Sequence, residues 1–134
     1  MLDHHTALIY TMVLVSAADG RMSDAELRTI GEVVNYLPIF DDYESKNLPV
    51  VAGDCAEILD DKDGLARVLE VIVGLLPEYL RETAYAIGCD VAAADGSVKP
   101  EEVRLLEMLG DTLHIDPLAA AAIERGARAR HMVL

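Results

Sequence analysis

Two segments of this sequence match each other without a gap, and the match limits the available folds more than any other feature. Residues 17–28 (AADGRMSDAELR) correspond to residues 93–104 (AADGSVKPEEVR), at a constant offset of 76 residues. In each copy an apolar segment precedes an Asp-Gly pair, and apolar residues at helical spacing follow it. An offset of this length does not suit a short-period solenoid. We therefore expect a single domain, 1–134, with two helical hairpins (about 4–37 and 80–113) related by a pseudo-two-fold axis.

Apolar residues recur at helical spacing along most of the chain, and no segment shows the sustained alternation of a strand. The first expected helix carries apolar side chains nearly all round, so we expect it to be buried at the centre of the fold. The sequence therefore predicts a compact all-α bundle. Its seven expected helices cover about residues 4–18, 23–37, 50–59, 64–76, 77–94, 100–113 and 116–130.

Capping residues and prolines set several of the expected helix boundaries. Ser23 and Glu26 have the spacing of a capping box, so they are expected to start the second helix. Asp63 is expected to cap the fourth helix, and Pro77 is expected to occupy the first turn of the fifth. Apolar positions at helical spacing predict a buried stripe along that fifth helix, formed by Leu80, Ala84, Ile87, Val91 and Ala94.

The net charge of the chain restricts its partners. At pH 7 the formal charge is −13, which argues against nucleic acid because neutralising phosphates requires clustered Lys and Arg side chains. The same charge disfavours anionic membrane surfaces. It is compatible with metal cations or with a basic partner protein. We therefore expect a protein partner, and no insertion into a membrane, because the apolar run of the first helix is too short to span a bilayer.

The sequence around the cysteines and histidines predicts no catalytic or zinc-binding role for them. Cys55 and Cys89 are far apart and form no CxxC pair, which predicts reduced thiols in a cytoplasmic protein and no zinc framework. Each cysteine adjoins an aspartate, which is expected to raise the thiol pKa and to disfavour a nucleophilic role. His4 and His5 stand in the first helical turn, where we expect them to be exposed.

The doubled motif is similar to that of a known family. In each copy an apolar helix ends in Ala-Ala-Asp-Gly, and a Glu follows six positions after the Gly. This pattern resembles the TerB-like family of tellurite-resistance proteins, over roughly residues 4–127. The resemblance implies a bundle of about seven helices, a link to stress responses against tellurite or other chemical insults, and metal association at acidic residues. It implies no established enzymatic reaction.

Four carboxylates of the doubled motif form a candidate metal site: Asp19, Glu26, Asp95 and Glu102. An aspartate at a helix C-terminus is opposed by the helix dipole, so its occurrence in both copies calls for a compensating interaction. If the pseudo-two-fold axis brings the two turns together, the four side chains can share one divalent cation. Ligands that are all oxygen predict Mg²⁺, Ca²⁺ or Mn²⁺.

A structural interpretation of the same residues stays open. An Asp-Gly turn lets the carboxylate accept nearby backbone N–H groups, and the capping box accounts for Glu26. Glu102 is less well accounted for, since the Lys99 side chain has no acceptor with which to reciprocate. The leading interpretation is a non-enzymatic, TerB-like binding domain with a divalent cation. An acidic protein-interaction module without metal is the alternative, and a metal-dependent hydrolase is a third.

Overall fold

The computed structural model describes residues 3–18, 20, 22–94, 96 and 98–134. These residues form seven α-helices, three short 3₁₀ helices and no strand, which confirms the predicted all-α bundle. The α-helices are α1 (His4–Ser16), α2 (Asp24–Tyr36), α3 (Leu48–Asp60), α4 (Gly64–Leu75), α5 (Arg81–Ala93), α6 (Pro100–Thr112) and α7 (Pro117–Arg130). The 3₁₀ helices are Pro38–Phe40, Ser45–Asn47 and Glu78–Leu80.

Helix α1 lies at the centre of the bundle, as its uniformly apolar sequence predicts. Every residue from His5 to Ser16 is buried. Asp3 caps its N-terminus by accepting a hydrogen bond from the backbone N–H of Thr6, at 3.2 Å. The helix packs against α3, α4 and α5, and these contacts surround it on all sides. Burial of its large side chains, including Leu8, Ile9 and Met12, supplies much of the hydrophobic stabilisation of the fold.

Helix α5 is the second central helix, and it packs against α1 on one side and α7 on another. The predicted buried stripe is confirmed at Leu80, Ile87 and Val91, which expose 7%, 2% and 7% of their surface. Ala84 is also buried, whereas Ala94, at the end of the predicted stripe, is exposed because it lies beyond the last turn of the helix.

Helices α2 and α6 follow the two central helices in chain order, and their contacts are reciprocal. Helix α2 contacts α1 and α5, and helix α6 contacts α5 and α1. Each has 13 residues, and their first residues, Asp24 and Pro100, are 76 positions apart, as in the sequence match. This arrangement is the one that two related hairpins require. A superposition of the two hairpins by a two-fold rotation stays a prediction.

One expected side-chain cap does not form, and one expected helix start is wrong. Asp63 does stand directly before α4, as predicted. It has a φ of 63°, and its side chain makes no capping hydrogen bond. The chain turns sharply here, and a Cβ placed on Gly64 would lie 2.1 Å from the carbonyl oxygen of Ile58, so only glycine fits. Pro77 likewise does not open α5. It precedes the 3₁₀ helix Glu78–Leu80, and α5 begins at Arg81.

Candidate functional site

The C-terminal ends of the two central helices lie at the same end of the bundle. A Cβ placed on Gly88 of α5 would lie 3.5 Å from Cγ2 of Val15 in α1. Val15 is one residue from the end of α1, and Gly88 is five residues from the end of α5. At about 1.5 Å of rise per residue, each contact point lies within about 8 Å of its own helix end. The two predicted Asp-Gly turns therefore begin at the same end of the bundle.

The two glycines of these turns both have a positive φ. Gly20 has a φ of 104° and Gly96 a φ of 88°, a region that favours glycine strongly over other residues. The backbone N–H of Gly20 donates to the carbonyl of Ala17 at 2.9 Å, and that of Gly96 donates to the carbonyl of Ala93 at 3.0 Å. The sequence match is thus accompanied by matching local geometry. The predicted ligands beside these glycines, Asp19 and Asp95, lie outside the described residues.

Glu26 and Glu102, the other two predicted ligands, cap the helices that follow the turns. The Glu26 carboxylate accepts a hydrogen bond from the backbone N–H of Ser23 at 2.9 Å, and Ser23 Oγ accepts from the Glu26 N–H at 3.1 Å. These two bonds confirm the predicted capping box. The Glu102 carboxylate accepts from the backbone N–H of Lys99, also at 2.9 Å.

The capping bond of Glu102 resolves a question that the sequence posed. A lysine side chain has no acceptor, so the reciprocal half of a capping box cannot form there. The carboxylate half does form, between Glu102 and the backbone N–H of Lys99. Only 8% of the surface of Glu102 is exposed, whereas Glu26 is half-buried. Both carboxylates are therefore held at helix N-termini.

The described residues contain only part of the predicted four-carboxylate site. Within the described part of the chain, no three His, Cys, Asp or Glu side chains are grouped so as to hold a metal ion. Two of the four predicted ligands are not among those residues, so the four-carboxylate site stays a prediction.

The expectation that the N-terminal histidines are exposed is wrong for His5. Only 5% of its surface is exposed, and its Nε2 lies 2.8 Å from the carbonyl oxygen of Ile39. Its ring stacks on Phe40, with centroids 5.5 Å apart, and packs against Tyr43. The irregular segment after α2 folds back over the start of α1 and covers this ring. Nothing in the local sequence around His5 indicates that distant contact.

The two cysteines behave as buried, unreactive thiols. Both are free and buried, Cys55 in α3 and Cys89 in α5. Burial raises the pKa of each thiol to about 12. For Cys89 the carboxylates of Glu124 and Asp90 add to the increase in pKa. The predicted direction is confirmed, although removal from water, and not the adjacent aspartate, is the main cause.

The comparisons with known proteins agree with the fold and the motif. In the part of the chain that the structure describes, no helix is long and apolar enough to cross a membrane. No curated protein and no solved structure matches the chain at a significant level. A family model described as tellurite resistance protein TerB matches residues 5–125, which include both copies of the doubled motif and all seven helices in whole or in part. The chain therefore belongs to the TerB family of tellurite-resistance proteins.

Proposed function

We propose that this TerB-family domain acts by binding and not by catalysis, and that it holds one divalent cation between its two Asp-Gly turns. The ligands are the carboxylates of Asp19, Glu26, Asp95 and Glu102, and the cation is Mg²⁺, Ca²⁺ or Mn²⁺. One observation carries the proposal. The carboxylates of Glu26 and Glu102 are fixed by equivalent 2.9 Å hydrogen bonds, in helices that follow turns at the same end of the bundle.

The electrostatics of the motif support a cation. Each copy places an aspartate and a glutamate within seven residues of each other, in a chain that already carries a net charge of −13. Carboxylates that approach one another repel, and this repulsion destabilises the folded state unless a cation or a proton relieves it. A divalent ion removes the repulsion without protonation. The proposed cytoplasmic, stress-related role is then a response to the availability of such an ion.

The competing explanation is that Glu26 and Glu102 only cap their helices. The two explanations differ in whether the negative charge of each side chain is needed. A glutamine side chain can also accept the backbone hydrogen bond that a capping box requires. The substitutions Glu26→Gln and Glu102→Gln therefore preserve the cap and remove the negative charge. Asp95→Asn does the same in the turn, since asparagine also suits such a turn. These variants should leave the metal-free fold intact and reduce only the response to metal.

The experiment is thermal unfolding of chelator-treated protein with and without Mg²⁺, Ca²⁺ or Mn²⁺. A cation that binds only the folded state stabilises it by RT ln(1 + [L]/Kd), about 2.7 kcal/mol at one hundred times Kd. We expect such a gain with at least one cation, and its loss in Glu102→Gln and Asp95→Asn. Glu101→Gln is the matched control, because Glu101 is an exposed neighbour in the same helical turn. Equal gains in all variants, or no gain in the native protein, would refute the proposal.

A further inference from the structure

A cleft lies between α5, α6 and α7, beside the second copy of the doubled motif. Its volume is about 210 Å³. The floor is apolar and is built from small side chains of α5 and α7 (Ala92, Ala93 and Ala127) and from Leu106 of α6. All four of these side chains are buried. The small alanine side chains leave room between α6 and α7, and that room is the cleft.

The mouth of the cleft is apolar on one side and charged on the other. Val98 and Val103 line it, and each exposes 43% of its surface. Glu107 of α6, together with Glu124 and Arg128 of α7, supplies the charged groups. An apolar patch bordered by charged residues is typical of an interaction site. Two carboxylates against one guanidinium give this rim the same negative sign as the whole chain.

Two contacts between α5 and α7 hold the walls of the cleft in place. Tyr85 of α5 is buried, and its hydroxyl donates to the Glu124 carboxylate of α7 at 2.5 Å. Arg130, at the end of α7, pairs with Asp90 of α5 at 2.7 Å. These two contacts hold α7 against α5 over about one and a half turns of each helix. The cleft is therefore formed by the folded chain itself.

The size of the cleft decides what class of ligand it can take. Pockets that enclose drug-sized molecules or cofactors have volumes of about 300–1,000 Å³. At about 210 Å³ this cleft is below that range. It suits one or two apolar side chains of a larger molecule that stays mostly outside. An amphipathic segment presents such side chains at positions i, i+3 and i+4.

We propose that this cleft docks a basic amphipathic segment of a partner protein. Apolar side chains of the segment lie on the alanine floor beside Val103, and a Lys or Arg of the segment faces Glu107. Charge complementarity favours this occupant, because both the rim and the chain as a whole are negative. Glu26 and Glu102, the two carboxylates of the doubled motif that the structure describes, do not line the cleft, so the peptide test and the cation test have separate readouts.

The test uses a defined probe. A fluorescein-labelled peptide of about fourteen residues, with leucines at helical spacing and lysines elsewhere, is titrated with the full chain and followed by fluorescence anisotropy. Binding tighter than about 100 μM at low salt is expected, and it should weaken as salt screens the charges. Peptides in which glutamate replaces every lysine, or serine replaces every leucine, should not bind.

Two variants assign the binding to the cleft. Val103→Arg places a bulky positive charge at the mouth, and Glu107→Lys reverses a rim charge. Both positions are exposed, so the fold should be retained. Each variant is expected to weaken peptide binding at least about tenfold. The matched controls Val50→Arg and Glu57→Lys make the same changes at exposed positions of α3 and should bind as the native chain does.

The remaining outcomes contradict the proposal. Absence of peptide binding to the native chain excludes a basic amphipathic segment as the occupant. Equal binding by Glu107→Lys and Glu57→Lys means that the peptide responds only to overall charge. Sedimentation of the native chain alone provides a further check. Concentration-dependent dimerisation that Val103→Arg abolishes would assign the cleft to a second copy of this chain.

Discussion

The first hairpin, α1 and α2, and the second hairpin, α5 and α6, have matching turns but different surroundings. Twelve of the 13 residues of α1 are buried, compared with eight of the 13 residues of α5. Helices α3 and α4 both pack against α1, whereas α7 packs against α5 and leaves an open cleft beside it. The duplicated segments therefore determine the turns and the helix caps of both hairpins. The helices outside the two copies decide which surface stays open.

The largest expected effects come from truncating the two central helices. Ile9→Ala in α1 and Ile87→Ala in α5 each remove a side chain that is at least 98% buried. Each should lower the free energy of unfolding by about 2–5 kcal/mol. Chemical denaturation measures the loss. Val50→Ala, at a position with 65% exposure, is the control and should change stability by less than about 0.5 kcal/mol. A small loss for Ile87→Ala alone would break the equivalence of the two helices.

Alkaline pH should destabilise the fold through both cysteines. Each folded-state thiol has a pKa of about 12, against an ordinary value of 9.0. Between these values the unfolded chain loses the proton and the folded chain keeps it, so stability falls as pH rises from about 9. The maximum slope is about 1.4 kcal/mol per pH unit for each thiol.

Denaturant titrations between about pH 8 and 10.5 measure that slope. Cys55→Ala and Cys89→Ala should each be less stable at neutral pH, because a buried side chain is shortened. Each should also lose stability less steeply above pH 9 than the native chain does. An unchanged slope in both variants would show that other groups, such as the buried Tyr85, control the alkaline limb. Burial raises the pKa of the Tyr85 hydroxyl above its ordinary value as well.

Alanine at the two turn glycines should cost the same in both copies. Gly20 and Gly96 have φ values of 104° and 88°, and an L-residue is strained there whatever space surrounds it. Gly20→Ala and Gly96→Ala should each lower stability by about 1–2 kcal/mol. Thermal unfolding of the two variants compares the turns directly. A cost at only one of the two positions would mean that the turns are not equivalent.

The smallest expected effect concerns the ion pair that ties α7 to α5. Arg130→Met removes the guanidinium partner of Asp90, whose carboxylate also lies 3.4 Å from His131 Nε2, and more than half of the Arg130 side chain is exposed. A pair of this kind contributes about 0.2–1 kcal/mol, and salt screens it. The difference in unfolding free energy between the native chain and the variant should therefore shrink as ionic strength rises. A larger, salt-independent loss would show that α7 depends on this residue for packing and not for charge.

The sequence predicted the elements whose signals are local. The periodic apolar residues of α5 and the Ser23–Glu26 capping box depend on neighbours within one or two turns of helix, and the structure confirms both. The expected side-chain cap at Asp63 was wrong because a close approach of Gly64 to the preceding helix dictates the backbone there. Such an approach depends on the path of the chain in three dimensions.

The candidate sites depended on distant contacts to different degrees. The doubled Asp-Gly and Glu motif could be found by aligning the chain with itself. The burial of His5 under a segment more than 30 residues away in the sequence could not be found in that way. The α5–α6–α7 cleft likewise has no sequence signature, because alanines in two helices, α5 and α7, are ordinary helix formers until they face one another.

Calorimetric titration of a divalent cation into the chelator-treated chain tests the central claim most directly. The account predicts one site per chain for at least one of Mg²⁺, Ca²⁺ and Mn²⁺. It also predicts no measurable binding in the double variant Glu26→Gln/Glu102→Gln, in which both caps are kept and two charges are removed. Binding of the same affinity in that variant would contradict the account, as would the absence of binding in the native chain. Either result would leave the doubled motif as a pair of helix caps.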